Sequence, residues 1–445
     1  MNSLEKYFGF GERKTNLKTE ITAGVTTFMT MAYIIFVNPA ILSAGGVPFR
    51  AAVVATCIAS GLFCIVMGLY TNYPFTLAPG MGINAIVAWT IVLTMKQPWQ
   101  TAMGIIFIEG LIVTILVLTN LREMVMNAIP KSLKLAIGVG IGIFIALIGL
   151  EEGGIITGNP VTLVQLGDFN KNYVQLTMAG ILITSVLLVL KIRGAILIGI
   201  IITAVCAFFF GIVSFPDALI SPPRAEDFDT FFQMDVKSAL NLSLVPMIFA
   251  LFMTDFFDTM GTVIAVGRQA ELLDEKGSLP GLKKVLLVDS LAAVFGGLFG
   301  CSSVTSYIES AAGVSEGGRT GLTSIVTGIL FFISIIFLPL VKLIGGGFEI
   351  SPGVFKYPIT APALIIVGFL MIELLKDIDW SKIDEGLPAF FIILLIPFTY
   401  NISYGIGFGF ISYSLIKLFT GRPKEVHPVL YVISILFVLA FIIPH

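Results

Sequence analysis

A series of long apolar segments, with very few charges inside them, limits most strongly how this chain can fold. Only 12% of its 445 residues are charged, whereas a soluble domain needs about 25% to cover its surface with polar groups. One bilayer crossing takes roughly 20 apolar residues, and a spanning segment must satisfy its own backbone hydrogen bonds. The sequence therefore predicts an all-α polytopic membrane protein with 14 transmembrane segments.

Seven apolar segments precede a polar, acidic stretch from Ser214 to Asn241, and seven follow it. The first seven are Ile21–Leu42, Ala51–Tyr70, Phe75–Thr94, Ala102–Thr119, Leu133–Leu150, Val174–Leu190 and Ala195–Val213. The second seven are Leu242–Val266, Val285–Phe299, Val304–Val314, Leu322–Leu343, Ile359–Leu375, Leu387–Phe398 and Ile402–Phe419. An odd number in each half predicts two inverted repeats of seven.

The distribution of basic residues predicts the orientation of these segments. With a cytoplasmic N-terminus and strict alternation, 19 of the 26 lysines and arginines lie on the inner side and seven on the outer side. That split fits the positive-inside rule for a protein of the cell membrane. The C-terminal tail, residues 420–445, contains one more apolar stretch, Val429–Ile443. It is left open whether this stretch crosses the membrane, lies half in it, or packs on the bundle.

Charge and the rare reactive residues exclude several classes of protein. A net charge of −2, with no basic run longer than a pair, does not fit a nucleic-acid-binding protein. The four cysteines lack metal-ligand or CxxC spacing, so they are predicted to be buried thiols, and both histidines lie near the C-terminus. Neither a metal nor an organic cofactor is expected, and no enzyme signature is present. Any proton carrier within the membrane must therefore be a carboxylic acid.

Two of the segments cannot be continuous helices. Segment three contains two prolines and two glycines between Pro74 and Gly82, and proline removes a helix hydrogen bond and restricts the residue before it. We predict a short extended strand ending near Ala78 and a helix from Pro79. Segment ten repeats the plan, with residues 302–306 extended and a short helix from Tyr307. The two strands can pair and place two helix starts at a central site. The alternative is a proline kink and a loop without a ligand.

Five acids lie inside predicted segments, where no lysine or arginine can neutralise them. They are Glu109, Asp255, Asp258, Asp289 and Glu309. Ionisable groups at membrane depth are costly and usually functional. Asp255 and Glu309 are the candidates for substrate or proton chemistry, and Asp258 is open between function and structure. Asp289 and Glu109 are predicted to tie helices together.

Several motifs resemble those of one transporter family. They are Asn72–Phe75, Ala78–Gly82 with Asn84, Asp255–Thr262, Ser302–Val314 and Gly317–Thr323. Together they resemble the bacterial and fungal guanine/hypoxanthine permease family, a branch of the nucleobase–cation symporters of the nucleobase/ascorbate type. The likeness extends from Phe8 to Arg422.

The resemblance implies a core domain of residues 21–119 and 242–343 and a gate domain of residues 133–213 and 359–419. It implies proton-coupled uptake of purine bases, commonly by a homodimer. By motif position, Glu309 is expected to be the main purine-binding carboxylate, Asp255 its partner and Asn84 a polar contact. Asp258 matches an acid important for transport, so Asp255, Asp258 and Glu309 are the expected proton-coupling groups.

The chemistry of the ligand fits these residues. Guanine presents N1–H and a 2-amino group on one edge, which one carboxylate such as that of Glu309 can accept together. Thr259 and Ser310 complete the predicted contact set, and stacking of Phe75 or Phe256 on the ring is left open. An adenine permease of the same family is one alternative. An anion transporter of similar architecture is another, although it should carry a cation near the broken segments.

Overall fold

The computed structural model describes residues 3–119, 129–214, 216, 218–274, 279–351 and 354–442, and these are mostly helical. The first half contains α1 Ser3–Phe8, α2 Leu17–Met31, α3 Ile34–Ala44, α4 Phe49–Thr71, β1 Leu77–Pro79, α5 Met81–Ala85, α6 Trp99–Leu118, α7 Lys131–Glu152, β2 Ile156–Asn159, β3 Leu163–Leu166, α8 Asn172–Val189 and α9 Ala195–Phe209. Helix α5 continues into a π-helical segment, Ile86–Thr94.

The remaining elements follow the acidic stretch, which contains a 3-10 turn at Ala225–Phe228. They are α10 Val236–Ala239, α11 Val245–Gln269, α12 Leu282–Phe299, β4 Val304–Ser306, α13 Ser310–Ser315, α14 Gly321–Ser334, α15 Leu338–Gly345, β5 Phe348–Ser351, β6 Val354–Lys356, α16 Ala361–Ile372, α17 Ile383–Thr399, α18 Ile402–Phe419 and α19 Pro428–Ile442. Further 3-10 turns lie at Leu242–Leu244, Glu373–Asp377 and Pro423–Glu425.

Among the described residues, seven helical stretches are long and apolar enough to cross a membrane. They are Leu17–Ala44, Phe49–Thr71, Trp99–Leu118, Lys131–Glu152, Asn172–Val189, Val245–Gln269 and Ile402–Phe419. These coincide with predicted segments one, two, four, five, six, eight and fourteen. The protein is therefore built as an integral membrane protein.

The two broken segments pair as predicted. Strands β1 and β4 run antiparallel, with Leu77 opposite Ser306 and Pro79 opposite Val304. All six residues of the pair are buried, so their backbone groups are satisfied within the protein, as membrane depth requires.

The helices that follow these strands begin later than predicted, at Met81 and Ser310. Backbone pairing continues beyond each strand, because Gly80 N donates to Ser303 O at 2.9 Å and Tyr307 N donates to Thr76 O at 2.9 Å. Gly80 therefore keeps an extended backbone, with ψ of 122°, and Ile308 and Glu309 form a turn, so both helices start nearer the C-terminus than predicted.

Predicted segment one is also broken, which the sequence did not reveal. Helix α2 ends at Met31 and α3 begins at Ile34. Between them, Ile35 N donates to Ala32 O and Phe36 N donates to Tyr33 O, both at 3.1 Å, which is the tighter three-residue hydrogen-bond spacing. The break turns Tyr33 toward the interior, where it is 2% exposed.

The helices pack mainly within two groups. We call α2–α6 with α10–α15 and strands β1 and β4 the strand bundle, and α7–α9 with α16–α18 the second bundle. Each contains a crossing where two glycines meet. In the strand bundle a Cβ added at Gly321 of α14 would lie 1.9 Å from Gly68 O of α4, and in the second bundle one added at Gly368 would lie 2.4 Å from Gly142 O. Such close approach is possible only without side chains.

The C-terminal apolar stretch packs on the helices through the described residues. Helix α19 runs antiparallel to α18, since Ser434 bonds to Ser414 at 2.9 Å and Phe441 lies beside Tyr404 with ring centroids 5.5 Å apart. Its 15 residues span about 22 Å, less than the roughly 30 Å hydrocarbon core. Phe437 also contacts Phe249 of α11, so α19 touches both bundles.

An ion pair ties the acidic linker to the strand bundle. Arg50, at the start of α4, donates from Nε and Nη2 to the Asp227 carboxylate at 2.7 and 2.8 Å. The Arg50 guanidinium holds the pKa of this carboxyl below its usual range. Backbone N–H of Arg224 adds a third hydrogen bond at 2.8 Å, which fixes the turn to the helix.

Candidate substrate site

Glu309 lies between β4 and α13, where the chain leaves the strand pair. Its side chain is half-buried, and its Oε1 accepts a hydrogen bond of 2.7 Å from the Tyr33 hydroxyl. The break between α2 and α3 and the break in segment ten thus meet at this carboxylate.

Asp258 of α11 lies on an accessible helical face. The face continues through Gly261, Ala265 and Arg268, all exposed and spaced three to four residues apart. Protein surrounds Asp258, yet its surface is accessible, and it is close enough to Glu309 and Asp289 for the carboxylates to repel one another. We call the accessible surface that carries Asp258 and Glu309, beside the strand pair, the vestibule.

Asp255, one turn earlier on α11, is not on this face. It is 1% exposed, and its Oδ1 accepts from Ser303 Oγ at 3.3 Å. In this conformation Asp255 contacts the residues that lead into β4, and Asp258 is the acid of α11 with an accessible surface near Glu309.

Asp289 ties three elements together, which confirms its predicted structural role. Its Oδ1 accepts from Ser306 N at 2.8 Å and from Ser306 Oγ at 2.7 Å, while Oδ2 accepts from Thr259 Oγ1 at 2.7 Å. The Asp289 side chain, on α12, therefore holds the end of β4 against α11. Glu109 is fully buried in α6.

The other predicted polar contacts are buried beside the strands. Asn84 Nδ2 donates to Pro79 O at 3.4 Å, and among the described residues Asn84 Oδ1 has no hydrogen-bond partner. Ser310 Oγ bonds to the Thr76 hydroxyl at 2.7 Å. Thr259 bonds to Thr305 at 2.8 Å as well as to Asp289. These groups surround the strand pair rather than the vestibule surface.

The two aromatic candidates are also fully buried. Phe256 packs against Phe252 with ring centroids 5.5 Å apart, and Phe75 packs against Tyr73 at 5.6 Å. Both have 0% exposure, so neither ring face borders the vestibule in this conformation.

The sequence analysis missed two tyrosines. Tyr33 bonds to Glu309, and the Tyr307 hydroxyl donates to Pro79 O at 2.5 Å. A buried tyrosine hydroxyl needs a partner, so a tyrosine in an otherwise apolar segment was the available signal. Tyr33 also follows closely after Phe28-Met29-Thr30, which recurs as Phe252-Met253-Thr254.

The charge of the vestibule limits what it can bind. Among the residues the structure describes, neither Glu309 nor Asp258 forms an ion pair with lysine or arginine. Two carboxylates and a tyrosine hydroxyl attract hydrogen-bond donors and protons, and repel anions.

Broken membrane segments that meet at a polar, water-accessible centre define a membrane transporter. The fold is similar to that of the transmembrane domain of the cyanobacterial bicarbonate transporter BicA, with a TM-score of 0.64 at 16% identity, over 87% of this chain and 97% of that one. The sequence profile of a family described as "Permease family" matches residues 18–408. The chain belongs to this family, within the nucleobase/ascorbate transporters.

Several permeases are similar in sequence to this chain over nearly its full length. A permease of Methanocaldococcus jannaschii is 47% identical over 99% of both chains. The guanine/hypoxanthine permease PbuG of Bacillus subtilis is 41% identical over 99% of both chains. The adenine permease AdeP of Escherichia coli is 39% identical over 99% of this chain and 96% of its own.

Proposed function

We propose that this protein takes up purine nucleobases, guanine or hypoxanthine, together with a proton by alternating access. The observation that carries the proposal is the Glu309 carboxylate, held by Tyr33 at 2.7 Å and open to the vestibule. The guanine/hypoxanthine permease of B. subtilis, 41% identical, supports the same ligand class.

Glu309 suits the donor edge of an oxopurine. Each carboxylate oxygen has two lone-pair sites, so the Tyr33 hydroxyl occupies one and leaves acceptors on both oxygens for guanine N1–H and the 2-amino group. Hypoxanthine offers N1–H alone. A site built on such bonds rejects a base lacking the donor, because its own polar groups are then left unpaired. We leave Phe75 and Phe256 out of this contact set because both are buried.

The proton has a physical role in this scheme. Asp258 and Glu309 repel each other when both are ionised, and a proton bound by either removes the repulsion. We propose that purine binds while an external proton is held, and that both leave on the cytoplasmic side. Asp255 remains a candidate proton group because it precedes Asp258 by one helical turn.

We also propose the finer architecture. The strand bundle corresponds to a core of residues 21–119 and 242–343, and the second bundle to a gate of residues 133–213 and 359–419. Fourteen segments in two inverted repeats, with a cytoplasmic N-terminus, would place the antiparallel β1–β4 pair on the pseudo-twofold axis. Helices packing chiefly within each bundle support a movement of one against the other. By the family resemblance, the assembly is a homodimer.

Competition of labelled hypoxanthine uptake tests this function directly. We expect unlabelled guanine to compete and uracil not to, and a protonophore to abolish uptake. Uptake that is unaffected by the protonophore but requires sodium would overturn the proposal that a proton is the coupling ion. Failure of every purine to compete would overturn the substrate class.

Adenine is the second candidate, favoured by the 39% identical adenine permease of E. coli. Adenine carries an acceptor at N1, so it requires a protonated carboxyl at Glu309 or another pose. In the same assay, strong competition by adenine and none by guanine would select this alternative.

Replacing the two acids of α11 with neutral amides tests whether they couple purine uptake to the proton. We expect Asp258→Asn to lower proton-driven uptake at least roughly tenfold while purine binding survives, because the amide cannot carry the proton. Asp255→Asn makes the same change on the buried face, and because Asp255 is the other candidate proton group, it is also expected to transport poorly. The measurement is uptake with an imposed pH gradient, beside binding of labelled hypoxanthine to the purified protein. Full, protonophore-sensitive uptake by Asp258→Asn would remove Asp258 from the coupling role.

A further inference from the structure

An apolar groove lies between the two bundles. It has a volume of about 620 Å³ and lies between α9 of the second bundle and α2, α3, α14 and α15 of the strand bundle. Ser334 is its single polar lining residue among the residues described, and the Ser334 hydroxyl already donates to Leu330 O at 2.8 Å. The walls therefore offer a ligand apolar contact and nothing else.

The dimensions of the groove match one leaflet of a bilayer. On α9 its lining runs from Leu197 to Phe208, which is about 16 Å along the helix axis and half of the roughly 30 Å hydrocarbon core. At the end near Phe208 the lining is completed by Pro216, in the acidic stretch that leaves the membrane. The groove is thus elongated along the direction in which lipid chains lie.

A purine does not fit these walls. Its ring nitrogens would lose water without gaining a hydrogen bond, which costs several kcal/mol by roughly the 2–7 kcal/mol scale for unpaired polar groups. A saturated hydrocarbon chain has no polar group to leave unpaired, and it gains van der Waals contacts with the apolar walls.

We propose that the groove binds one acyl chain of a membrane phospholipid, with its headgroup at the Pro216 end. The acyl chain lies against Phe28 and Ile35. These two residues flank the break between α2 and α3 that contains Tyr33. Tyr33 in turn donates to Glu309. The bound chain therefore supports the segment that positions the site carboxylate, and it fills the seam along which the bundles would move. The lipid site stands on the groove alone, whereas an effect on uptake rests also on the proposed function.

Photocrosslinking in vesicles tests the site. The probe is phosphatidylethanolamine with a diazirine on one acyl chain, diluted into phosphatidylethanolamine and phosphatidylglycerol, and labelled peptides are mapped by mass spectrometry. We expect labelling to concentrate on the peptides of α9 and α14–α15. Val205→Trp fills the groove and should reduce this labelling roughly tenfold. Ile202→Trp, on the same helix at an exposed position outside the lining, should leave it unchanged.

Two results would overturn the proposal. One is labelling spread evenly over the exposed helices and equal in both variants, which indicates ordinary surrounding lipid. The other is crosslinking of α9 to a second copy of the chain instead of the probe, which indicates a protein interface. Thermal unfolding of both variants in detergent shows that each is folded. Because the experiment measures attachment of the lipid probe, a negative result would contradict the lipid site without bearing on the proposed purine uptake.

Discussion

Glu309→Gln is expected to abolish saturable purine uptake. The amide keeps the size of the side chain but replaces one acceptor oxygen with an NH2 donor, which faces the N1–H of the base. Loss of a charge-assisted pair that leaves polar groups unmatched costs about 3 kcal/mol, so we expect kcat/KM to fall by at least roughly 100-fold. Initial rates of labelled guanine and hypoxanthine uptake, with binding to the purified protein, measure both effects.

Two variants control this experiment. Tyr33→Phe keeps the carboxylate and loses only the 2.7 Å bond, so a smaller loss, roughly tenfold and mainly in KM, is expected. Glu373→Gln makes the same chemical change at an exposed acid that pairs with Lys376, and it should transport normally. Wild-type uptake by Glu309→Gln would remove Glu309 from the site and with it the proposed purine contact.

Gly321→Ala is expected to prevent stable assembly of the strand bundle. The added Cβ would lie 1.9 Å from Gly68 O and 2.6 Å from Gly68 C. Both are backbone atoms, so α4 and α14 must separate along their whole contact rather than rotate one side chain. Overpacking of this kind costs typically 1–3 kcal/mol and occasionally more, and we place this case at the upper end. The yield of monodisperse protein in detergent and its unfolding temperature report the effect.

Gly261→Ala is the matched control. Gly261 also lies within a helix, α11, but no atom of the described residues comes within 4 Å of its added Cβ. Alanine is favoured over glycine in a helix by roughly 0.5–1 kcal/mol, so this variant should unfold at the same temperature as the wild type or slightly above it. A Gly321→Ala protein as stable as Gly261→Ala would mean that α4 and α14 are farther apart than described.

The paired strands could be predicted because the signals are local. Pro79 and the neighbouring glycines forbid a helix whatever surrounds them, and an extended backbone in the membrane must find a partner. The helix starts were misplaced because Gly80 and Tyr307 bond across the pair, a contact between residues far apart in sequence. The break at Tyr33 could not be predicted, since no glycine or proline lies near it.

The site was predicted less completely than the fold. Unneutralised acids in apolar segments can be found by inspection, and the carboxylates of Glu309 and Asp258 are close enough to repel each other. The sequence analysis favoured Asp255 over Asp258, but which of the two reaches the accessible face depends on helix rotation, which a three-residue spacing does not determine. The sequence contains 37 phenylalanines, so it could not show that Phe75 and Phe256 pack inside.

The β1–β4 pair imposes an order on the synthesis of this protein. Leu77–Pro79 finds its partner only when Val304–Ser306, well over two hundred residues later, has been made. Until then its amides and carbonyls have no partner strand, and lipid cannot supply one. During synthesis the third segment must therefore remain in a hydrated or protein-lined environment, such as the insertion machinery. Most of the chain must be synthesised before the substrate site can form.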